Sequence, residues 1–267
     1  MQNKNMLFII ITTIVLIIAL LSVREIIPII NENNSKKRVF NDMQKKSNDM
    51  AKGVIGIIAE NNNDNMASHE GIGSGAIIAK EDNNYYAITA KHVVNNDKVK
   101  YKIFTKDTKF SGKTVEVEND ITFEIPDEEY YKSLIDAKIE YKSNKEDLAI
   151  ISFNYDKDLT VLELETKKLS IKDRIMVIGH PEGNRYKITY GYIKSNLKKV
   201  HNDKVIEHDA YMKQGNSGGV AITENMKIAG INISGEYTLL GHYKAGYMIP
   251  YDIVKDNINN FSKELIK

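Results

Sequence analysis

KQGNSGGVAITENMKIAGINIS, residues 213–234, decides between two folds that both seat a serine among glycines. Gly215-Asn216-Ser217-Gly218-Gly219 fits G-x-S-x-G, the pattern of a serine carried on a sharp turn from a strand into a helix, as in the α/β hydrolases. That arrangement needs a helix after Ser217. Instead two β-type runs come next, GVAIT (219–223) and KIAGINIS (227–234), joined by a polar turn at Glu224-Asn225. The order fails as well, because that fold places its acid and then its histidine after the serine, whereas His242 precedes Asp252. The serine therefore sits in a β-rich chain. Each glycine in a regular element costs roughly 0.5–1 kcal/mol relative to alanine, so three around one serine call for a reason.

Outward from this stretch the same pattern recurs. VIGIIA (54–59), SGAIIA (74–79), YYAITA (85–90), VKYKIF (99–104), DLAIISF (147–153), RIMVIG (174–179), YKITYGYI (186–193) and GYMIP (246–250) are separated by Asn, Asp, Gly or Lys clusters. Many short strands at this spacing imply an all-β sandwich or barrel. Tyr251, Val254, Ile258, Phe261 and Leu265 recur at three and four, which predicts an amphipathic helix packed on the β body. Residues 110–145, acidic and lysine-rich, read as an irregular insertion with one helical turn.

The N-terminal side differs in kind. MLFIIITTIVLIIALLSV (6–23) carries no charge, and a helix of that length spans about 27 Å, close to a bilayer core. A cleaved signal peptide is the competing reading, but its apolar region is shorter and ends in an A-x-A pattern that Ala19-Leu20-Leu21-Ser22 fits poorly. The expectation is an uncleaved transmembrane anchor over 1–23, a polar stalk over 24–50 and one domain over 51–267. The charge rule taken alone leans toward a cytoplasmic body, since Arg24, Lys36, Lys37 and Arg38 lie after the span.

Composition removes several chemistries. With 37 basic against 36 acidic residues the chain offers no field that favours nucleic acid. The absence of cysteine excludes disulfides, thiolate nucleophiles and cysteine-ligated metals. There is no H-E-x-x-H, the scattered histidines give no plausible zinc site, and no cofactor is expected. Gly71-Ile72-Gly73-Ser74-Gly75-Ala76 imitates a dinucleotide fingerprint, yet a strand comes where a helix N-terminus would have to hold the pyrophosphate.

A serine hydroxyl becomes a useful nucleophile when an imidazole takes its proton and a carboxylate holds that imidazole in the right tautomer. Among His69, His92, His180, His201, His208 and His242, His92 stands out because it closes a β-type run, YYAITAKHVV, behind the small pair Thr89-Ala90. The other five read as surface or hydrogen-bonded structural residues. Asp147 opens the apolar run LAIISF, where its carboxylate would sit beside a core. Alone, His92 reads as a structural histidine and Asp147 as a turn residue.

Together with the serine they resemble the chymotrypsin-like serine peptidases, and among these the high-temperature-requirement (HtrA/Deg) branch, from about Val54 to Ile258. Gly73-Ser74-Gly75-Ala76-Ile77-Ile78 with Ala87-Ile88-Thr89-Ala90-Lys91-His92-Val93-Val94 is similar to the family's histidine segment, and Asp147-Leu148-Ala149-Ile150 to its aspartate segment. Val177-Ile178-Gly179-His180-Pro181-Glu182-Gly183 and Thr189-Tyr190-Gly191-Tyr192-Ile193 resemble the stretch ahead of the serine. His208-Asp209-Ala210 and Gly215-Asn216-Ser217-Gly218-Gly219 resemble the serine segment. Ile228-Ala229-Gly230-Ile231-Asn232 and the closing Ile249-Pro250 resemble the strand behind it and the end of the barrel.

The resemblance implies two packed six-stranded β-barrels with the catalytic groups between them. His92 and Asp147 would come from the first and Ser217 from the second. The oxyanion hole would fall on Gly215, Asn216 and Ser217, with the N–H groups of Gly215 and Ser217 as donors. The substrate pocket would be lined by Tyr211, Met212, Gln214, Ile233, Ser234, Gly235 and Gly246, and no acidic side chain among them suits lysine or arginine. A small or medium apolar residue before the scissile bond is expected. Asn216 stands where many digestive relatives carry an aspartate that pairs with a freed N-terminus, so no zymogen cleavage is expected. Val220 replaces the usual proline. With one helix expected after the barrel, no PDZ domain is expected within residues 51–267.

The expected function is a membrane-anchored serine endopeptidase acting on proteins or peptides, with an extracytoplasmic domain by family context and a role in quality control or processing of exported proteins. The alternative is an inert peptide-binding module on the same fold.

Overall fold

The computed structural model describes residues 40–63, 66–117, 121–200 and 202–265. The apolar run 6–23 and nearly all of the polar stretch up to residue 39 lie outside them. Among the described residues no helix is long and apolar enough to cross a membrane.

The first β body uses strands β1 (Val54–Asn63), β2 (Met66–Glu81), β3 (Asn84–Thr89), β4 (Lys100–Phe104), β7 (Ile135–Lys142) and β8 (Ala149–Asn154). They close in the order β1-β2-β3-β8-β7-β4, a six-stranded antiparallel barrel as expected. Closure is driven by alternation: Ile55, Ile57, Ile77, Tyr85, Ala87, Ile103, Ala149, Ile151 and Phe153 point inward and form its buried core.

The second body departs from expectation. Strands β9 (Arg174–Gly179), β10 (Lys187–Tyr192), β11 (Lys198–Val200), β12 (Asp203–His208), β13 (Val220–Thr223), β14 (Ile228–Tyr237) and β15 (Tyr243–Pro250) form a seven-stranded sheet, β10-β9-β13-β14-β15-β12-β11. It is a half-barrel rather than a closed six-stranded one. Among the described residues its two sides meet by an isolated bridge, between Ile193, just past β10, and His208 at the end of β12, and by hydrogen bonds such as Glu207 N to Ser195 Oγ, rather than by a continuous strand pair. The physical reason is that β12 turns the rest of its length to pair with β11. Its interior is filled by Ile175, Val177, Ile193, Met212, Ala221 and Met248.

A third buried cluster joins the two bodies through Ala76, Ile88, Ile150, Ile178, Val220 and Ile231. Two helices seal it. The sequence reads 24–50 as a solvated stalk, but its end forms helix α1 (Asn41–Ala51), and Phe40, Met43 and Ala51 are buried in this cluster, with the Phe40 ring 5.4 Å from Tyr190 and 5.3 Å from Tyr192. The insertion is more regular than its sequence implies. It holds a hairpin of β5 (Gly112–Val117) and β6 (Ile121–Pro126), then helix α2 (Glu128–Lys132), whose Asp127 side chain caps Tyr130 N at 2.9 Å. Helix α3 (Tyr251–Leu265) fits its apolar spacing: Val254 and Phe261 are buried, and Phe261 reaches Tyr86 and Tyr141 of the first barrel.

Candidate active site

Ser217 sits between a tight turn at 213–216 and the start of β13. The Asn216 N–H closes that turn on Lys213 O at 3.0 Å, and Gly215 occupies its left-handed position with φ +102°. A Cβ there would lie 2.1 Å from His180 O. Gly218, at φ +79°, packs so tightly that a Cβ would fall 2.0 Å from Ser74 O and 2.1 Å from Thr89 Oγ1. The glycines therefore supply both turn geometry and room for the first barrel. Past the turn, Gly218 N donates to Asn232 O at 2.7 Å and Asn232 N to Gly219 O at 2.8 Å, fixing the loop to β14.

The orientation of the Gly215 N–H is set by its peptide plane. Gln214 O accepts from Glu182 N at 2.7 Å, and in a trans peptide the neighbouring Gly215 N–H points the opposite way. Among the described residues neither Gly215 N–H nor Ser217 N–H donates to a protein acceptor. Both fit the expected donor pair. Asn216, between the two expected donors, gives its N–H to Lys213 O, and its side chain is buried against Gly179.

His92 lies on a short 3₁₀ turn (Lys91–Val94) directly after β3. Asp147 precedes β8, which pairs with β3, so neighbouring strands bring the two together. His92 Nδ1 lies 2.5 Å from Asp147 Oδ2, and His92 N donates to Asp147 Oδ1 at 2.8 Å. A carboxylate only accepts, so the proton sits on Nδ1 and leaves Nε2 as a base. Burial raises the Asp147 pKa, but the His92 hydrogen bond and charge, with the nearby Lys91, outweigh it and hold the carboxyl below its ordinary value. The imidazole is half exposed, at 49 %, whereas the carboxylate is 20 % exposed.

The loop ahead of Asp147 is braced from three sides. Ser143 Oγ donates to Glu146 Oε2 at 2.9 Å, Asn257 Nδ2 of α3 reaches the same oxygen at 3.3 Å, and Asp147 N donates to Asp203 Oδ1 at 2.8 Å. Asp203, at the start of β12, thus ties the second body to the aspartate. The Ser217 hydroxyl donates to Ile233 O at 3.3 Å and, among the described residues, makes no hydrogen bond to His92. Gly218 nonetheless packs on Thr89 and Ala90, the residues leading into His92.

The expected pocket residues divide. Met212, Ile233 and Gly246 are buried, Tyr211 is half-buried, and Gln214, Ser234 and Gly235 are exposed. Two tyrosines that sequence reasoning missed brace the wall: Tyr237 Oη donates to Met212 O and Tyr243 Oη to Ala210 O, and the Tyr211 ring stands on Tyr243 at 5.0 Å. No motif marks them.

His180 and His208 are fully buried, in keeping with a structural role. His208 Nε2 lies 3.0 Å from Asn232 Oδ1, and burial lowers its pKa to about 4. His180 Nδ1 lies 3.0 Å from Ser74 Oγ, with Phe104 and Tyr186 edge-on to its ring, and burial beside Arg185 and Lys106 lowers its pKa to about 3. The side chains of His69 and His201 lie outside the described residues. Among the described residues no cluster of His, Asp or Glu is grouped to hold a metal.

Comparison with known proteins points the same way. Residues 73–231 match the family model of the trypsin-like peptidase domain. The chain is 27 % identical over 212 residues to a probable periplasmic serine endoprotease DegP-like of Buchnera aphidicola subsp. Schizaphis graminum, covering 78 % of this chain and 38 % of that protein. It is 28 % identical over 190 residues to periplasmic serine endoprotease DegP of Salmonella typhimurium, covering 69 % of this chain and 34 % of that protein. To a DegP-like relative of Hahella chejuensis it is 31 % identical over 128 residues, 46 % of this chain and 27 % of that one. The chain spans about a third of the length of these relatives.

Proposed function

The chain belongs to the trypsin-like peptidase domain family, a family of serine-type endopeptidases, and we propose that it hydrolyses peptide bonds through Ser217, His92 and Asp147. The observation that carries this reading is the His92–Asp147 pair, oriented with its proton on Nδ1, next to a serine turn with two unspent N–H donors. In the reaction the Ser217 hydroxyl rotates from Ile233 O toward His92 Nε2, gives up its proton and attacks the peptide carbonyl. The tetrahedral oxyanion accepts from Gly215 and Ser217 N–H. His92 then protonates the leaving amine, and water repeats the sequence on the acyl-enzyme. Asp147 stays ionised and stabilises the imidazolium, which its depressed pKa supports.

None of the seven expected lining residues is acidic, so the reading extends to a small or medium apolar residue before the cleaved bond. Periplasmic relatives and the uncharged run 6–23 support a membrane-anchored chain with its catalytic domain outside the cytoplasm, processing exported proteins.

An active-site fluorophosphonate probe tests the chemistry on the full chain. The wild type is expected to label and Ser217→Ala is not; labelling of neither favours an inert peptide-binding module. Full protection of the domain against protease added to intact cells would sink the extracytoplasmic assignment.

A further inference from the structure

Ser74 lies in β2, 141 residues from Gly215 in sequence, and is fully buried. It holds the nucleophile turn at two points: its N–H donates to Ser217 O at 2.8 Å and its hydroxyl to Gly215 O at 2.7 Å. Its own carbonyl accepts from Thr89 Oγ1 at 2.6 Å, three residues before His92. One residue thus touches the backbone on both sides of Asn216 and the strand that delivers the histidine.

The hydroxyl has one hydrogen and three neighbours. Gly215 O can only accept, so it takes that hydrogen. His180 N lies 3.2 Å from the same oxygen and His180 Nδ1 3.0 Å, and both then act as donors. This fixes the His180 tautomer with its proton on Nδ1. The remaining Nε2 is buried, without a hydrogen-bond partner among the described residues, in a ring whose edges meet Phe104 and Tyr186. His180 is held as a donor to Ser74, and the serine oxygen reaches full hydrogen-bond capacity.

The consequence lies in Gly215. A glycine at positive φ has wide backbone freedom, so the direction of its N–H is set by what holds the peptides on either side. The 214–215 peptide is held by Glu182 N on Gln214 O, and the 215–216 peptide by the Ser74 hydroxyl on Gly215 O. Fixing both planes fixes both dihedrals. We propose that Ser74, kept in orientation by His180, is a positioning residue that holds the Gly215 N–H toward the oxyanion. The inference rests on the proposed peptidase reaction and deepens it.

The test uses the full chain. Ser74→Ala is expected to lower kcat about 10- to 100-fold, less than the roughly 10²–10³-fold loss of a donor itself, with KM within twofold. The inhibition constant of a peptide boronic acid, whose tetrahedral adduct occupies the oxyanion site, should rise in proportion. Binding of an uncleaved peptide to Ser217→Ala should be unaffected by adding Ser74→Ala, a separation that a merely loosened fold would not give. His180→Asn, which keeps an N–H donor, should retain more kcat than His180→Leu, and this pair serves where Ser74→Ala fails to fold. In a ¹⁵N-glycine-labelled chain the Gly215 amide resonance should shift and broaden in Ser74→Ala, a readout that does not need activity. Unchanged kcat, boronate affinity and Gly215 resonance in Ser74→Ala would overturn the inference while leaving the peptidase reading intact. An unlabelled wild type with a perturbed Gly215 resonance would do the reverse.

Discussion

Asp147 does two things for His92: it fixes the tautomer through Nδ1 and holds the backbone through His92 N. Asp147→Asn presents an amide that can donate where the carboxylate only accepted, which favours the wrong tautomer. The expected loss is roughly 10⁴-fold in kcat with KM little changed, measured by steady-state hydrolysis of a peptide substrate. At this scale His92, Asp147 and Ser217 are legible because each closes or opens a β-type run beside small residues. Ser74, His180, Tyr237 and Tyr243 are not. Their meaning lies in partners distant along the chain, as Ser74 to Gly215 illustrates, and a lone serine inside a strand carries no local sign of one. Asn216 is the local case. Sequence places it between two donors, but the turn consumes its N–H.

Among the elements, most core strands and α3 show in their apolar spacing, because each buries a face and the period records it, but β7 does not: this barrel strand lies inside the run 110–145 read as irregular, and none of its residues is fully buried. The hairpins β5–β6 and β11–β12 do not, being short, polar and stabilised by pairing rather than burial. Helix α1 is hidden because Lys, Asn and Asp dominate it, and only Phe40, Met43, Met50 and Ala51 betray its inner face. This element makes a quantitative prediction. Phe40 is 1 % exposed, packed on Tyr190 and Tyr192, with the Arg174 guanidinium 5.8 Å from its ring. Phe40→Ala should cost about 3–5 kcal/mol in chemical denaturation. A fragment beginning near Met50 would lose the same contacts, so a soluble version has to begin before Phe40; an equally stable Met50 fragment would contradict the packing described for α1.

For the whole molecule, buried neutral histidines set the acid limit. Folding lowers the pKa of His180 to about 3 and that of His208 to about 4, against an ordinary 6.5. Between those values the unfolded chain binds more protons than the folded one, so stability rises with pH and is lost as pH falls from about 6.5 toward 4. Two such groups give a slope of up to about 3 kcal/mol per pH unit in the middle of that window. Below it Glu165 adds to the loss. Burial opposes its ionisation, but hydrogen bonds from Asn225, the Thr166 and Lys167 amides and Thr223 bring its pKa down to about 2. Denaturation midpoints from pH 7.5 to 4.5 should show this steep fall. His180→Asn should flatten it by about half, and a midpoint independent of pH over that range would refute the assignment.

The brace from Asn257 to Glu146 gives the site an order in time. A chain made from its N-terminus presents His92 and Asp147 well before Ser217 exists, and the loop that seats Asp147 is completed only when helix α3 docks its Asn257. Neither β body alone carries all three proposed groups, and the support from Asn257 comes from a segment that follows Ser217 in the chain. A growing chain therefore cannot bring the three proposed groups together before Ser217 is made, and the loop ahead of Asp147 gains its contact from Asn257 later still.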